Sequence, residues 1–359
     1  MVMAETNGAV MDTVSIPDAI AWQARHAEQN GAPGTAMVVR ALLALEDSQA
    51  ATARRIFAWN GLSLRDALPL RIAGGIHNLL LTGDEPRLED IYAGRVRDQA
   101  EADALVREVV EAYDARLMPW LDSPPQTNEA GRSASAMAGL LWLGNRVVPQ
   151  FELLEIGASA GINTMMGRYR YDLGGVTVGP ASSSMQITPD WRGPPPPDTP
   201  IGFVDARGSD IAPVDLTDEA EALRLKSYVW PEAAGRMARI DAAIALAGRM
   251  PPELERADAG DWVEAALAKQ QERGTTRVLF HSIMWQYLPD FTQDRIEKAM
   301  AEAGERADAD RPLAWLSLET NRETFAHELH ARFWPGGGEP VHLANAHPHG
   351  EWVEWLGAD

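Results

Sequence analysis

Up to Val147, apolar residues recur at three- and four-residue spacing and no stretch alternates as a strand would. Beyond it, short apolar runs alternate with helical stretches. This change of texture constrains the fold more than any other feature. "DAIAWQARHAEQ", "TAMVVRALLALEDSQA", "LRDALPLRIAGGIHNLLLTG" and "QAEADALVREVVEAYDARLMPWL" read as amphipathic helices closed by Gly or Pro. After the break "DSPPQ", a further helix is expected from Thr127 or Asn128 through "EAGRSASAMAGLLWLGNR". The strand-like runs then follow: "FELLEIG", "PIGFVDARGSDI", "ELERADAGD", "RVLFHSIMW" and "LAWLSLE", with helical segments between them. Strands separated by helices predict a mostly parallel, doubly wound α/β sheet. "HARFW" and "VHLANAH", joined by "PGGGEP", predict a terminal antiparallel hairpin. The expected organisation is an all-helical region over 1–147 and a sheet domain over 148–359, with a hairpin and loop inserted at about 168–200.

Composition narrows the function classes. The chain has 359 residues, enough for two domains, and no cysteine, so disulfides, thiolate metal sites and a cysteine nucleophile are excluded. The net charge of −20, with no Lys/Arg run, argues against nucleic-acid and anionic-membrane partners. No window approaches the ~18 uninterrupted apolar residues of a membrane span. The start lacks a basic stretch followed by an apolar one, so no signal peptide is expected, and the absence of cysteine suits a cytoplasmic location.

The turn Gly157-Ala158-Ser159-Ala160-Gly161, after the first strand, has two readings. As G-x-S-x-G it is a nucleophile elbow, with Ser159 attacking, one of Asp205, Asp210, Asp215 or Asp290 as the acid, and His347 or His349 as the base. That fold encodes several strands ahead of the elbow, whereas everything upstream here reads as helix. A carboxylate at Glu155 would also oppose a developing oxyanion. As E-x-G-x-x-x-G the same stretch is a cofactor cradle at the C-terminal edge of a first parallel strand. Gly157 and Gly161 then admit close backbone approach, Glu155 pairs with a cationic group, and Ser159 and Asn163 add polar groups at a helix start. The missing third glycine of G-x-G-x-x-G favours a nucleoside smaller than a dinucleotide. The ordinary structural alternative is a bare strand-to-helix turn.

"LLEIGASAGIN" with "RYRYD" resembles the signature of a bacterial family of uncharacterised proteins, and the likeness continues through "QTNEAGRS", "PVDLTD", "YVWPE", "FHSIMWQYLP" and "AHPHGEWVEW". The C-terminal part is similar to class I methyltransferases, which implies a Rossmann-like sheet that binds S-adenosylmethionine. On that resemblance Glu155, Gly157 and Gly161 match the first-strand motif, and Asp210 in "GSDIAP" matches the acid that holds the ribose. Asp258 or Asp261 takes the place near the adenine, and "VLFHSIMWQYLP" lies where the fourth strand presents catalytic or substrate residues. Asp210 falls far beyond the ~20 residues at which a ribose acid usually follows the glycines; the inserted hairpin accounts for the excess.

Other residues carry chemistry by type and place. His281 and Ser282 end the fourth strand run, with Gln286 and Tyr287 after them; His281 and Tyr287 are candidates for catalysis and Gln286 for substrate contact. The competing reading of His281 is a buried, hydrogen-bonded strand-end histidine. Asn128, Glu129 and Arg132 sit near a helix start and are candidate substrate contacts from the helical side; the alternative is a cap with an intrahelical ion pair. His347 and His349 flank a proline, but without a partner motif they make no metal site, and none is expected. His77 lies on an apolar helical stretch and reads as a satisfied core histidine. The expected activity is S-adenosylmethionine-dependent methyl transfer to a small molecule or a protein. The alternatives are a serine hydrolase and a non-catalytic nucleoside- or partner-binding protein. The sequence leaves the oligomeric state open.

Overall fold

The computed structural model describes residues 15–357. The stretch read for a signal peptide therefore lies largely outside the described residues. The chain forms two compact units. The first takes in the residues up to Thr127 together with Asp218–Ala238, and the second Asn128–Thr217 with Arg239 to the C-terminus.

Among its described residues the first unit is built of helices alone. Its longest, Ile16–Gln29, Leu68–Leu81 and Gln99–Ala112, follow the apolar spacing of the sequence. Ser15 accepts a hydrogen bond from the Asp18 N–H and Asp98 from the Ala100 N–H, so two helix starts have side-chain caps. Leu68–Leu81 is the central helix and is buried over most of its length. At Gly74 and Gly75 a Cβ would lie 2.6 Å from Tyr228 and 2.9 Å from Trp120, so these glycines set how closely the aromatic rings approach the helix. His77 is 3% exposed and donates from Nδ1 to the Ser227 carbonyl at 3.0 Å. Burial pushes its pKa down to about 4, so it stays neutral, the satisfied core histidine that its apolar setting predicts.

The second unit is an α/β sheet structure. Its strands are β1 (Gln150–Ile156), β2 (Arg170–Leu173), β3 (Val176–Val178), β4 (Gln186–Ile187), β5 (Asp190–Arg192), β6 (Gly202–Asp210), β7 (Glu253–Arg256), β8 (Thr276–Ser282), β9 (Leu313–Thr320), β10 (His327–Trp334), β11 (Gly337–Ala346) and β12 (Trp352–Trp355). The main sheet has nine strands in the order β5-β12-β11-β10-β9-β8-β1-β6-β7. From β7 across to β9 every pairing is parallel, and β9-β10-β11-β12 pair antiparallel, as the terminal hairpin predicts. β8 is buried along its whole length, and the apolar run Val278-Leu279-Phe280 at its centre is what marks it in the sequence. Helices Ala259–Ala268 and Asp290–Arg306 pack Trp262, Val263, Ile296 and Met300 on one face of the sheet, against Leu154, Ile156, Leu279, Leu313 and Trp315. Helix Ser133–Gly144 packs on the strands from the face that presents Leu316, and a Cβ on its Gly139 would lie 2.7 Å from that leucine.

Three elements differ from expectation. No α-helix follows β1; the chain makes a turn and then a six-residue 3-10 helix, Asn163–Arg168. Within it Gly167 lies against β6, where a Cβ would come 2.6 Å from the Phe203 ring. The insertion is more than a hairpin. β3-β2-β4 form a separate three-stranded sheet, and β5 adds parallel to β12 at the far edge of the main sheet. The helix expected from Thr127 or Asn128 begins as a 3-10 turn at Ala130–Arg132 and becomes α-helical only over Ser133–Gly144.

Candidate functional site

Strand order locates the site before any side chain is considered. β1 leaves the sheet toward β6 on one side, and the chain later returns to lay β8 on the other. Ligands in open α/β sheets bind beyond the carboxyl ends of the strands at such a reversal. Leu154 and Ile156 face the helices Ala259–Ala268 and Asp290–Arg306, so strand alternation turns Glu155 to the opposite face.

Glu155 is 1% exposed. Its Oε1 accepts from the Asn163 Nδ2 at 3.4 Å, and its Oε2 has no hydrogen-bond partner. Burial, aided by the nearby Asp210 charge, raises its pKa to about 8, against the opposing effects of the Asn163 bond, the Arg132 charge and the Thr164 amide. Near pH 7 the group is therefore a neutral carboxyl. The Ser159 Oγ, the Asn163 Oδ1 and the Ser209 Oγ are also buried and without a partner. Buried polar atoms are rarely left unpaired, because each costs about 1–3 kcal/mol. Four of them lie at the ends of β1 and β6, in the turn that follows β1 and at the start of the 3-10 helix after it.

The glycine-rich turn is left-handed at alternate residues: Gly157 at φ 62°, Ser159 at φ 52° and Gly161 at φ 69°. Ile283, directly after β8, is also left-handed at φ 51°. A serine and a β-branched residue in that region store about 1–3 kcal/mol each, and such strain gathers at functional sites. The two lie at the carboxyl ends of β1 and β8, the strands that flank the reversal.

Three amides of the turn, and that of the residue after it, are engaged within the protein. Ala158 N donates to the Ser209 carbonyl at 3.0 Å, Ser159 N to Asp210 Oδ2 at 2.8 Å, and Gly161 N to the Ala158 carbonyl at 2.8 Å. Ile162 N donates to Asn128 Oδ1 at 2.8 Å. The space next to the glycines is also taken: a Cβ at Gly157 would meet Met284 at 2.8 Å, and one at Gly161 would meet Pro252 at 2.8 Å. What remains for recognition is the set of side chains around the turn. Asp210 closes β6 and also accepts from the Ala212 N–H, so of Asp205, Asp210 and Asp215 it is the acid at the strand end, and it touches the turn directly.

Asn128, Glu129 and Arg132 lie in the second unit, and the fold brings them to this end of the sheet. Asn128 fastens the turn at Ile162. Arg132, 7% exposed, donates to the Pro348 carbonyl at 2.9 Å, and its charge acts on Glu155. Glu129 caps the 3-10 turn through the Gly131 N–H and pairs with Arg239 at 2.7 Å; Arg239 also donates to the His349 carbonyl. "TNEAGRS" and "AHPHG" thus form one packed constellation, with Gly131 and Gly350 so close that a Cβ on either would clash with the other segment's backbone.

His281 is 2% exposed with both ring nitrogens engaged. Trp315 Nε1 donates to its Nε2 at 3.0 Å, which fixes the tautomer, so Nδ1 donates to Glu319 Oε1 at 2.7 Å. Glu319 also accepts from the Met284 and Trp285 amides. A histidine held this way positions Glu319 and is not free to take a proton at Nε2. Tyr287 is 74% exposed and Gln286 is exposed beside it, while Asp261 is exposed and paired with Arg295 at 2.7 Å. The first acid after β7 is Asp258, which caps helix Ala259–Ala268 through the Gly260 and Asp261 amides. Sequence reasoning misses Glu319, although it ends the fifth parallel strand as Glu155 and Asp210 end the first and second. It also misses Ser209 and Arg239, for which no local signal exists.

The profile of a family described as "Uncharacterized protein conserved in bacteria (DUF2332)" matches residues 17–355. Searches of curated proteins and of solved structures found no match.

Proposed function

Since the chain belongs to this uncharacterised bacterial family, its site is the only guide to its activity, and we propose that it binds S-adenosylmethionine at the carboxyl ends of β1 and β6 and is a methyltransferase acting on a small molecule or a protein. The observation that carries the reading is the set of four partnerless buried polar atoms, on Glu155, Ser159, Asn163 and Ser209, around a turn to which Asp210 is hydrogen-bonded. A ligand with an amino-acid end and a ribose matches that donor and acceptor set. An ammonium group would draw Glu155 back to the carboxylate and use its free Oε2. The order β7-β6-β1-β8-β9 also supports a Rossmann-like sheet, because it reads 3-2-1-4-5 in the order in which these strands occur along the chain. The ligand would supply an electrophilic methyl group; the protein's part would be positioning and the exclusion of water.

A second reading, nucleoside binding without turnover, is favoured by one observation: His281 keeps both nitrogens engaged, so the end of β8 offers no free base. The hydrolase reading has only the left-handed Ser159 in its favour, and its buried Oγ has no partner to deprotonate it. Calorimetry with S-adenosylmethionine and its demethylated product tests the binding. Heat with the wild type that disappears in Asp210→Ala supports the site, and no heat with either ligand sinks it. Transfer of labelled methyl from S-adenosylmethionine into a bacterial extract then separates turnover from binding alone.

A further inference from the structure

β10 and β11 carry a group that the site above does not use. Glu328 and His330 lie two apart on β10 and so share a face. His342 comes from β11, and the route by which it reaches them is specific. Glu328 pairs with Asn345 and Leu329 with Ala344, but His330 pairs with His342, because Leu343 is an extra residue bulged out of the ladder. Regular pairing would set His330 opposite Leu343 and leave His342 on the other face; the bulge re-aims it. The two rings lie 4.8 Å apart, inclined at 24°.

Two of the three side chains, His342 and Glu328, are already held by their other atom. Asn345 Nδ2 donates to Glu354 at 2.8 Å, so its Oδ1 faces the His342 Nε2 at 3.0 Å as an acceptor. Nε2 therefore carries the proton, and the Nδ1 lone pair is free. Glu328 accepts at Oε1 from Asn321 at 2.9 Å and Thr324 at 3.4 Å, which leaves Oε2 toward His330 Nε2 at 3.7 Å. Ligand atoms from all three residues fall within 4.8 Å of one another. Around a common ion at about 2.0–2.2 Å they would stand about 3.4 Å apart, so small side-chain rotations close the set. Metal-binding histidines and carboxylates are oriented by such outer hydrogen bonds. Glu328 and His330 also line a cavity of about 530 Å³ with Glu319, Thr320 and Asn321. The next residue on that face of β10, Arg332, lies over the Trp315 ring.

We propose that Glu328, His330 and His342 bind one divalent transition-metal ion, with an open coordination position facing the cavity that Glu328 and His330 share with Glu319. Two imidazoles and one carboxylate suit zinc or ferrous iron and leave room for an exchangeable ligand. The proposal stands apart from the nucleoside site, and neither depends on the other.

The test is calorimetric titration of the metal-stripped full chain with Zn²⁺ and, separately, Mn²⁺, with Co²⁺ absorption as a report of the ligand field. One ion per chain is expected. His342→Ala and the isosteric Glu328→Gln should weaken it about 100-fold or more. Asn345→Ala, which removes no ligand, should weaken it about 10–100-fold. His347→Ala should leave it unchanged. Thermal denaturation of each apo variant shows whether it is folded, and Glu328→Gln carries the test if His342→Ala is not. Absence of saturable binding, full affinity in folded Glu328→Gln, or loss of binding in His347→Ala would overturn the assignment.

Discussion

The two units treat buried polarity in opposite ways. In the helical unit the buried groups are closed off. Arg71 donates to the Asp66 and Leu121 carbonyls and His77 to the Ser227 carbonyl. In the sheet unit the ends of β1 and β6 keep Glu155, Ser159, Asn163 and Ser209 partly unsatisfied, and left-handed Ser159 and Ile283 follow β1 and β8. The division is not absolute, since the helical unit has its own left-handed Ala67 and a partnerless Tyr228 hydroxyl. The difference is one of concentration. Unfavourable features that gather at one edge of a sheet, where strand order already points, are more informative than scattered ones. A fold keeps such features where a ligand relieves them.

The sharpest contrast is in pH. Glu155 titrates near 8 in the folded chain against 4.5 for an unperturbed carboxyl. Between those values the unfolded chain releases a proton that the folded one keeps. Stability is therefore unaffected below about pH 4.5, falls as pH rises through the window, and bears the full cost above 8. Glu155→Gln should remove that slope and raise stability at pH 8.5 by a few kcal/mol, with little change at pH 4.5. Parallel slopes for variant and wild type in denaturant melts would break this side of the comparison. The same group predicts a proton count. If a cationic ligand binds at pH 7, calorimetry in buffers of different ionisation heat should show close to one proton released.

Gly157→Val comes next. Its left-handed φ costs a residue with a Cβ about 1–2 kcal/mol, and the new side chain runs into Met284, adding about 1–3 kcal/mol. A loss of about 3 kcal/mol in chemical denaturation is expected. Gly75→Ala in the helical unit meets Trp120 but gains helix propensity, so its loss should be about half as large. Equal losses would mean that the sheet-unit turn carries no special backbone strain.

His77 gives the mirror image of Glu155. Its folded pKa is about 4 against 6.5 unperturbed. Its stabilising contribution is complete above 6.5 and is lost as pH falls toward 4, a loss of about 2–3 kcal/mol. Hydrogen exchange, corrected for intrinsic rates, should therefore show protection in Leu68–Leu81 weakening at pH 5, and in β1 weakening at pH 8.5. If protection in both segments followed one pH profile, the two groups would not act separately.

How much of this was legible depends on whether the cause is local. The parallel strands are legible because burial on both faces writes short apolar runs, as in Val278-Leu279-Phe280 of β8. Asp210 is legible because it ends such a run before a turn. The missing helix after β1 is not, because the chain there packs against Phe203, which β6 brings in from a distant part of the sequence. The engagement of these turn amides was hidden as well, since two acceptors, Asn128 and Asp210, come from distant parts of the chain. The Glu328–His330–His342 group could not be read at all, because a period of two puts His342 on the wrong face and only the bulge at Leu343 corrects it.

Ser159 carries the smallest effect and the most discriminating one. Its hydroxyl is buried without a partner, and its backbone is left-handed. If the hydroxyl serves no ligand, Ser159→Ala removes an unsatisfied group and should stabilise the chain by about 1 kcal/mol. Ser159→Gly removes the backbone strain as well, but gives back part of the gain through a freer unfolded chain, so it should match Ser159→Ala within about 0.5 kcal/mol. If the hydroxyl completes a nucleoside site, the same Ser159→Ala should bind S-adenosylmethionine up to about tenfold more weakly, the value of one neutral hydrogen bond of roughly 0.5–1.5 kcal/mol. A variant that is more stable and binds less well identifies a group kept for its ligand. One that is more stable and binds equally well makes Ser159 a tolerated defect. One that is less stable shows that the hydroxyl is already satisfied, which would remove Ser159 from the contrast between the units.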